Sequence, residues 1–207
     1  MYTPKNYLDN DPESIRKFIH DNGFGILIST VNGTLWASHI PMMLSYDGTK
    51  LSGHISKGNK QWKDLEGFKD VLAIFTGPHT YISSSWYDHK NVPTWNYLAV
   101  HVYGTVRIIE GDELYASLDD LTNKYEKDSA NPVSMNTLTA DYVKREMKGI
   151  TGFEITIKNI EATRKLSQNR DDKNHQSIID HLEQRGDHSS VEIASLMKEN
   201  RCPVKKS

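Results

Sequence analysis

The stretch GHISKGNKQW, from Gly53 to Trp62, places a histidine and a serine on an extended run and then turns through lysines and an asparagine. His54 and Ser56 alternate onto one strand face, and Lys57, Asn59 and Lys60 follow where the chain bends into a helix. A hydroxyl, an ammonium group and free backbone N–H groups at a helix start together make a seat for a phosphate. The same residues also suit an ordinary solvated turn. A second stretch, VPTWNYLAVHVYGTVRI from Val92 to Ile108, offers different chemistry. Val-Pro holds the chain extended, and Trp95 and Tyr97 then stand on the face opposite Leu98, Val100 and Val102. Their rings can stack on a flat conjugated ligand while Asn96, donor and acceptor at once, reads its edge. That aromatic face serves equally well for packing on a helix or on a second subunit.

Three more stretches join polar, aromatic and basic groups at strand ends: SHIPMM with His39, GPHTYISSSWY, and RKLSQNR with Gln168. Settings for a general base are confined to His39, His54 and His101, and no residue takes a catalytic role. The chain has no Gly-Lys-Ser/Thr phosphate loop, dinucleotide glycine fingerprint, G-x-S-x-G elbow or H-E-x-x-H helix. The nine histidines do not gather at ligand spacing, and His175, His181 and His188 do not share a helical face, so no metal site is expected.

The elements that carry these groups can be read from periodicity. Asp11-Pro12-Glu13 starts a helix with Ile15, Phe18 and Ile19 on one side, closed at Gly23 by a left-handed cap. FGILISTV and TLWASHIPMML are strands joined by Asn32-Gly33, the dipeptide of a type I′ hairpin. SYDGT leads into KLSGHIS, a short helix follows in GNKQWKDLEG, and DVLAIFTG, HTYISSSWY and the Val92–Ile108 run are three further strands. So many strands on short turns suggest a closed or nearly closed antiparallel barrel, since an open sheet must deal with its edges. Two helices come next, one with Leu114, Leu118, Leu121 and Tyr125 in a stripe, the other ending at Gly149. ITGFEITIKNIEATRKL returns to the barrel as a last strand. The fold class is therefore mainly β with flanking helices, an antiparallel Greek-key-like barrel occupying residues 1–170, and a helical C-terminal segment over 171–207 that belongs to the same unit or clasps a dimer.

That segment has Ile178, Ile179 and Leu182 in one helix and Val191, Ile193, Ala194 and Met197 in another, opening at Ser189 or Ser190 after a break at Gly186. The rhythm is that of a helix-turn-helix, but Glu192, Lys198, Glu199 and Asn200 are poor groups for guanine or phosphate, and a cover for the barrel is the competing reading. The 207 residues carry a net charge of only −2, which gives no global attraction to a polyanion. One cysteine, Cys202, excludes a disulfide framework and any multi-cysteine metal site. With no signal-peptide pattern and no apolar stretch of spanning length, a cytoplasmic protein without membrane contact is expected.

Taken together, HIP at His39–Pro41, GHISKGNKQW, GPHTYISSSWY, VPTWNYLAVHVYG and KLSQNR resemble the motifs of the PaiB-type transcriptional regulators. These form a branch of the FMN-binding split-barrel superfamily that also holds pyridoxamine-phosphate oxidases and flavin reductases. Two residues depart from the pattern, Lys60 and Ser84, both where the family has proline, and Lys60 competes with Lys57 as the phosphate's cation. The resemblance implies a homodimer of FMN-binding split barrels, with Ser56, Lys57 and Asn59 at the phosphate and His39, Trp95, Asn96, Tyr97 and Gln168 nearer the ring or ribityl chain. It also implies negative regulation of sporulation and degradative-enzyme genes, with flavin as the sensor and DNA contacted directly or through a partner protein. The alternative it leaves is an FMN-dependent oxidoreductase of the pyridoxamine-phosphate oxidase or flavin reductase type.

Overall fold

A computed structural model describes residues 1–67 and 69–200; Cys202 lies outside the described residues. In chain order the elements are β1 (Leu8–Asp9), α1 (Pro12–Asp21), β2 (Phe24–Val31), β3 (Thr34–Leu44), β4 (Lys50–Ser56), β5 (Asp70–Ile82), β6 (Thr94–Ile109), α2 (Gly111–Glu126), α3 (Ala140–Met147), β7 (Ile150–Lys165), α4 (Asp172–Arg185) and α5 (His188–Glu199). The seven strands form one sheet in the order β1-β7-β4-β3-β2-β5-β6, and β6 pairs again with β7. That last pairing closes six strands into a barrel, with β1 attached outside the ring along β7. The chain divides into two compact units: a barrel unit of Arg16–Phe75 and His101–Ile160, and a second unit of Met1–Ile15, Thr76–Val100 and Glu161–Ser207.

In the barrel unit the Asn32-Gly33 hairpin forms as its sequence requires. Asn32 and Gly33 both take positive φ, 50° and 78°, and β2 and β3 pair in register from Phe24↔Pro41 to Val31↔Thr34. Leu27, Met42, Leu51, Phe75, Val102, Val106, Phe153 and Ile155 fill the interior. The barrel closes where Gly104 meets β7: a Cβ there would lie 2.4 Å from the Thr156 carbonyl oxygen. Only a residue without a side chain lets the two backbones come so near.

Gly23 departs from expectation. It has no positive φ and so is not a left-handed cap; a Cβ there would lie 3.1 Å from the Met42 carbonyl oxygen and would displace the Lys124 ammonium and the Tyr125 hydroxyl, each 2.9 Å away. The helix expected after Asn59 is a 3-10 turn, Lys60–Asp64, too short to carry the dipole of an α-helix. It is pinned by Gln61, fully buried, whose Nε2 donates to the Leu27 carbonyl at 3.2 Å and to Ser29 Oγ at 3.0 Å.

The separate strand expected in HTYISSSWY does not exist. DVLAIFTGPHTYI is continuous as β5, and SSSW makes a 3-10 turn capped by Ser83. Gly77-Pro78 reads as a break, but β5 pairs with β2 only from Leu72 to Ile74, so β2 asks nothing of the missing proline N–H. In the second unit α4 and α5 pack on each other and bury Ile178, Ile179, Leu182, Ile193, Ala194 and Met197, while Val191 stays exposed. Gly186 ends α4 at φ 72°, and Asp187, not a serine, caps α5 by accepting from the Ser190 N–H at 3.0 Å.

Candidate functional site

Four of the sequence-assigned residues lie in the barrel unit. Ser56 ends β4 with its Oγ accepting from the Gly58 N–H at 3.1 Å, and Lys57 is exposed, with no carboxylate within ion-pair distance among the described residues. The Trp62 indole N–H donates to the Lys57 carbonyl at 3.0 Å and fixes this corner. Asn59 is committed on both sides: its Oδ1 accepts from the Gln61 N–H and its Nδ2 donates to Ser38 Oγ at 2.7 Å. His39 is exposed on β3 with its ring stacked on Phe24, centroids 6.5 Å apart. Lys60 is also exposed, so Ser56, Lys57 and Lys60 together give a hydroxyl and two cations that pair with no carboxylate among the described residues.

The other four lie in the second unit. Trp95 is 52% exposed and has His79 and Tyr81 as ring neighbours, at 6.2 and 6.0 Å between centroids. His79 and Tyr81 are two apart on β5, a spacing that puts both rings on one strand face; this was the signal in the sequence that could have added them to the aromatic set. Tyr97 is half-buried on the same side of β6 as Trp95. Asn96 is fully buried, taking a hydrogen bond from Ser167 Oγ at 3.0 Å and giving one to Met197 Sδ at 3.4 Å. Gln168 spends its amide on the backbone, donating to the Asn6 and Arg164 carbonyls and accepting from the Leu166 N–H. Both amides therefore shape the unit, and the open aromatic surface is left to Trp95, Tyr97, Tyr81 and His79.

Ser167 holds this arrangement in an uncommon backbone state, φ 56°, for a residue that is not glycine. Its neighbour Lys165 donates to Thr94 Oγ1 and lies over the Tyr7 ring at 5.7 Å; burial, and then the Arg170 charge, push its ammonium pKa down.

Among the histidines, His54 has its pKa lowered from 6.5 by burial in the barrel unit, and His101 is shifted the same way, also first by burial. The folded state thus favours neutral rings more than the unfolded chain does. The stability this confers is complete above about pH 6.5 and declines as pH falls through the folded-state values. The midpoint of urea unfolding should drop between about pH 7 and about pH 5, and His54→Gln should remove part of that drop. An unchanged slope in the variant would assign the effect elsewhere. Among the described residues no three His, Cys, Asp or Glu side chains gather as a metal set, and no helix is long and apolar enough to cross a membrane.

Residues 1–159 match the family model described as "Putative FMN-binding domain". The chain belongs to this FMN-binding domain family. Its 41% identity to the "Protease synthase and sporulation protein PAI 2" of Bacillus subtilis extends over 201 residues, 96% of this chain and 97% of the relative. An uncharacterized protein of Emericella nidulans is 28% identical over 96% of this chain and 97% of its own length. Among solved structures, the FAD and heme binding protein of Mycobacterium smegmatis superposes with a TM-score of 0.61 at 17% identity, covering 77% of this chain and 73% of that one. The flavocytochrome Anf3 of Azotobacter vinelandii gives 0.59 at 14%, covering 84% and 78%. At those identities the likeness concerns the fold, and that fold is the split β-barrel expected for an FMN-binding domain.

Proposed function

We propose that this FMN-binding domain holds FMN and acts as a homodimeric negative regulator of sporulation and degradative-enzyme genes. The observation that carries the reading is the identity to PAI 2 over nearly the whole of both chains, in a protein of the FMN-binding domain family. The residues present fit the cofactor. In the second unit the exposed Trp95 indole offers a flat ring face, with Tyr81 edge-on and His79 tilted beside it; in the barrel unit Ser56 with two lysines that pair with no carboxylate among the described residues offers hydrogen-bond donors and positive charge for a phosphate. FMN, when bound, supplies a reversible redox change, and the protein's part is to bind and orient it. Within the barrel unit, Ser56 and Lys57 are assigned to the phosphate and His39 to the ribityl chain; within the second unit, Trp95 and Tyr97 are assigned to the ring, and Asn96 and Gln168 keep the Trp95 and Ser167 segments in position.

The homodimer is supported by apolar side chains left uncovered along β2 and β3 of the barrel unit: Phe24 at 65% exposure at one end of the pairing, and Leu35 at 77% and Trp36 at 39% toward the other. Contact with DNA, direct or through a partner protein, is the output of the proposed switch. Cutting away α4 and α5 would test it badly, because their buried residues are core of the second unit.

The test is a titration of purified full-length protein with FMN, followed by flavin fluorescence, and complementation of a Bacillus subtilis strain lacking PAI 2. Lys57→Ala and Trp95→Ala should each weaken FMN binding about tenfold or more with little change in Tm, as expected for the loss of one charge-assisted contact or one stacking surface. Absence of FMN binding would sink the cofactor reading, and failure to restore regulation would sink the regulatory one. Steady NAD(P)H oxidation by the flavin-loaded protein would move it to the oxidoreductases.

A further inference from the structure

Beyond the flavin reading, the barrel unit contains a pocket of about 370 Å³ where the end of β6, the start of α2, α3 and the start of β7 meet. Three lysines line it: Lys57, Lys144 and Lys148. None of them has a carboxylate within ion-pair distance among the described residues, although Glu110 also belongs to the lining. Glu110 occupies the N-cap of α2 but makes no side-chain cap, so the first N–H groups of this 16-residue helix keep no capping acceptor. A second observation points to a ligand. Thr151 lines the same pocket at 7% exposure, and its hydroxyl is buried with no hydrogen-bond partner among the described residues. An orphaned hydroxyl beside unpaired cations and an open helix start is costly unless something with acceptor oxygens satisfies it. The rest of the wall is apolar, with Ile109, Leu114 and Met147.

We infer that this pocket binds a small organic anion: a phosphate or carboxylate head bonded by Thr151, Lys144, Lys148 and the α2 N–H groups, with an apolar body against Leu114 and Met147. It is an effector site separate from the flavin, although Lys57 stands at the border of both. The anion's charge opposes Glu110, so the lysines decide the balance, and removing either Lys144 or Lys148 weakens the site.

Phenyl phosphate is the probe, titrated into the full-length protein by calorimetry with and without FMN. The expected result is saturable binding to one site, weaker by about tenfold in Thr151→Val and in Lys148→Ala, restored in Thr151→Ser, and still saturable, though weakened through the shared Lys57, when FMN is saturating. The flavin affinity of Thr151→Val and Lys148→Ala should match that of the unmodified protein. No saturable binding, or binding that the variants leave unchanged, overturns the site. Displacement of phenyl phosphate by FMN overturns its separateness. A protein that binds phenyl phosphate but not FMN would refute the flavin reading and leave this one standing.

Discussion

Gly104→Ala should destabilise the protein by at least ~2 kcal/mol, because the new methyl group meets backbone, which cannot turn away, and a fully buried side chain with no free space to turn into. Its Cβ would lie 2.4 Å from the Thr156 carbonyl oxygen and 2.5 Å from Ile155 Cγ2. The only relief is to pull β6 away from β7, and that pairing is the one that closes the barrel. Opening it leaves two strand edges with unpaired N–H and C=O groups, so the cost spreads beyond the clash itself. Gly149→Ala is the control, since its Cβ would meet nothing nearer than the Glu146 carbonyl at 3.4 Å. Unfolding in urea followed by circular dichroism measures both. Equal midpoints for the two variants would mean that the strands separate at little cost and that closure contributes little to stability.

Closure of this kind is what the sequence reveals least. The Asn32-Gly33 turn was legible because its cause lies in two adjacent residues, each at home with positive φ. The barrel itself was legible as a class, from strand number and short turns. Gly104, by contrast, looks like a flaw in an alternating strand until Thr156, far along the chain, is brought against it. The same holds for Gly77-Pro78, where local rules end a strand and the pairing of β5 does not require it to end.

The candidate site divides along the same line. The ring face of Trp95 and Tyr97 follows from period-two alternation, and both residues are open or half-open as that alternation requires. Alternation also sets Asn96 among the even-numbered residues with Leu98, Val100 and Val102, on the buried face, so its burial was foreshadowed by parity even though its chemistry suggested a ligand. Its partners were not foreshadowed. Ser167 and Met197 are 71 and 101 residues away, and only the folded second unit brings them to it.

Those partners make Asn96→Ala the second large expectation. The substitution removes the acceptor of the Ser167 hydroxyl, which is itself 3% exposed, and opens a space beside Met197. Leaving a buried hydroxyl unpaired and a small void should together cost about 2–4 kcal/mol. The cost should not be independent of Ser167, which holds a positive φ that a serine seldom adopts. With Ser167→Gly the backbone strain is relieved and the hydroxyl that needed Asn96 is gone. Asn96→Ala in that background should therefore cost less than it does alone, by ~1 kcal/mol or more across a double-mutant cycle. Thermal unfolding of the four proteins gives the coupling directly. A second cycle, of Asn96→Ala with Trp95→Ala, run on flavin affinity separates positioning from contact: if Asn96 acts by holding Trp95 in place, Asn96→Ala weakens FMN binding and Trp95→Ala abolishes that further loss. Strictly additive energies would show that Asn96 and Ser167 stabilise the unit separately, and additive flavin affinities that Asn96 touches the ligand by itself.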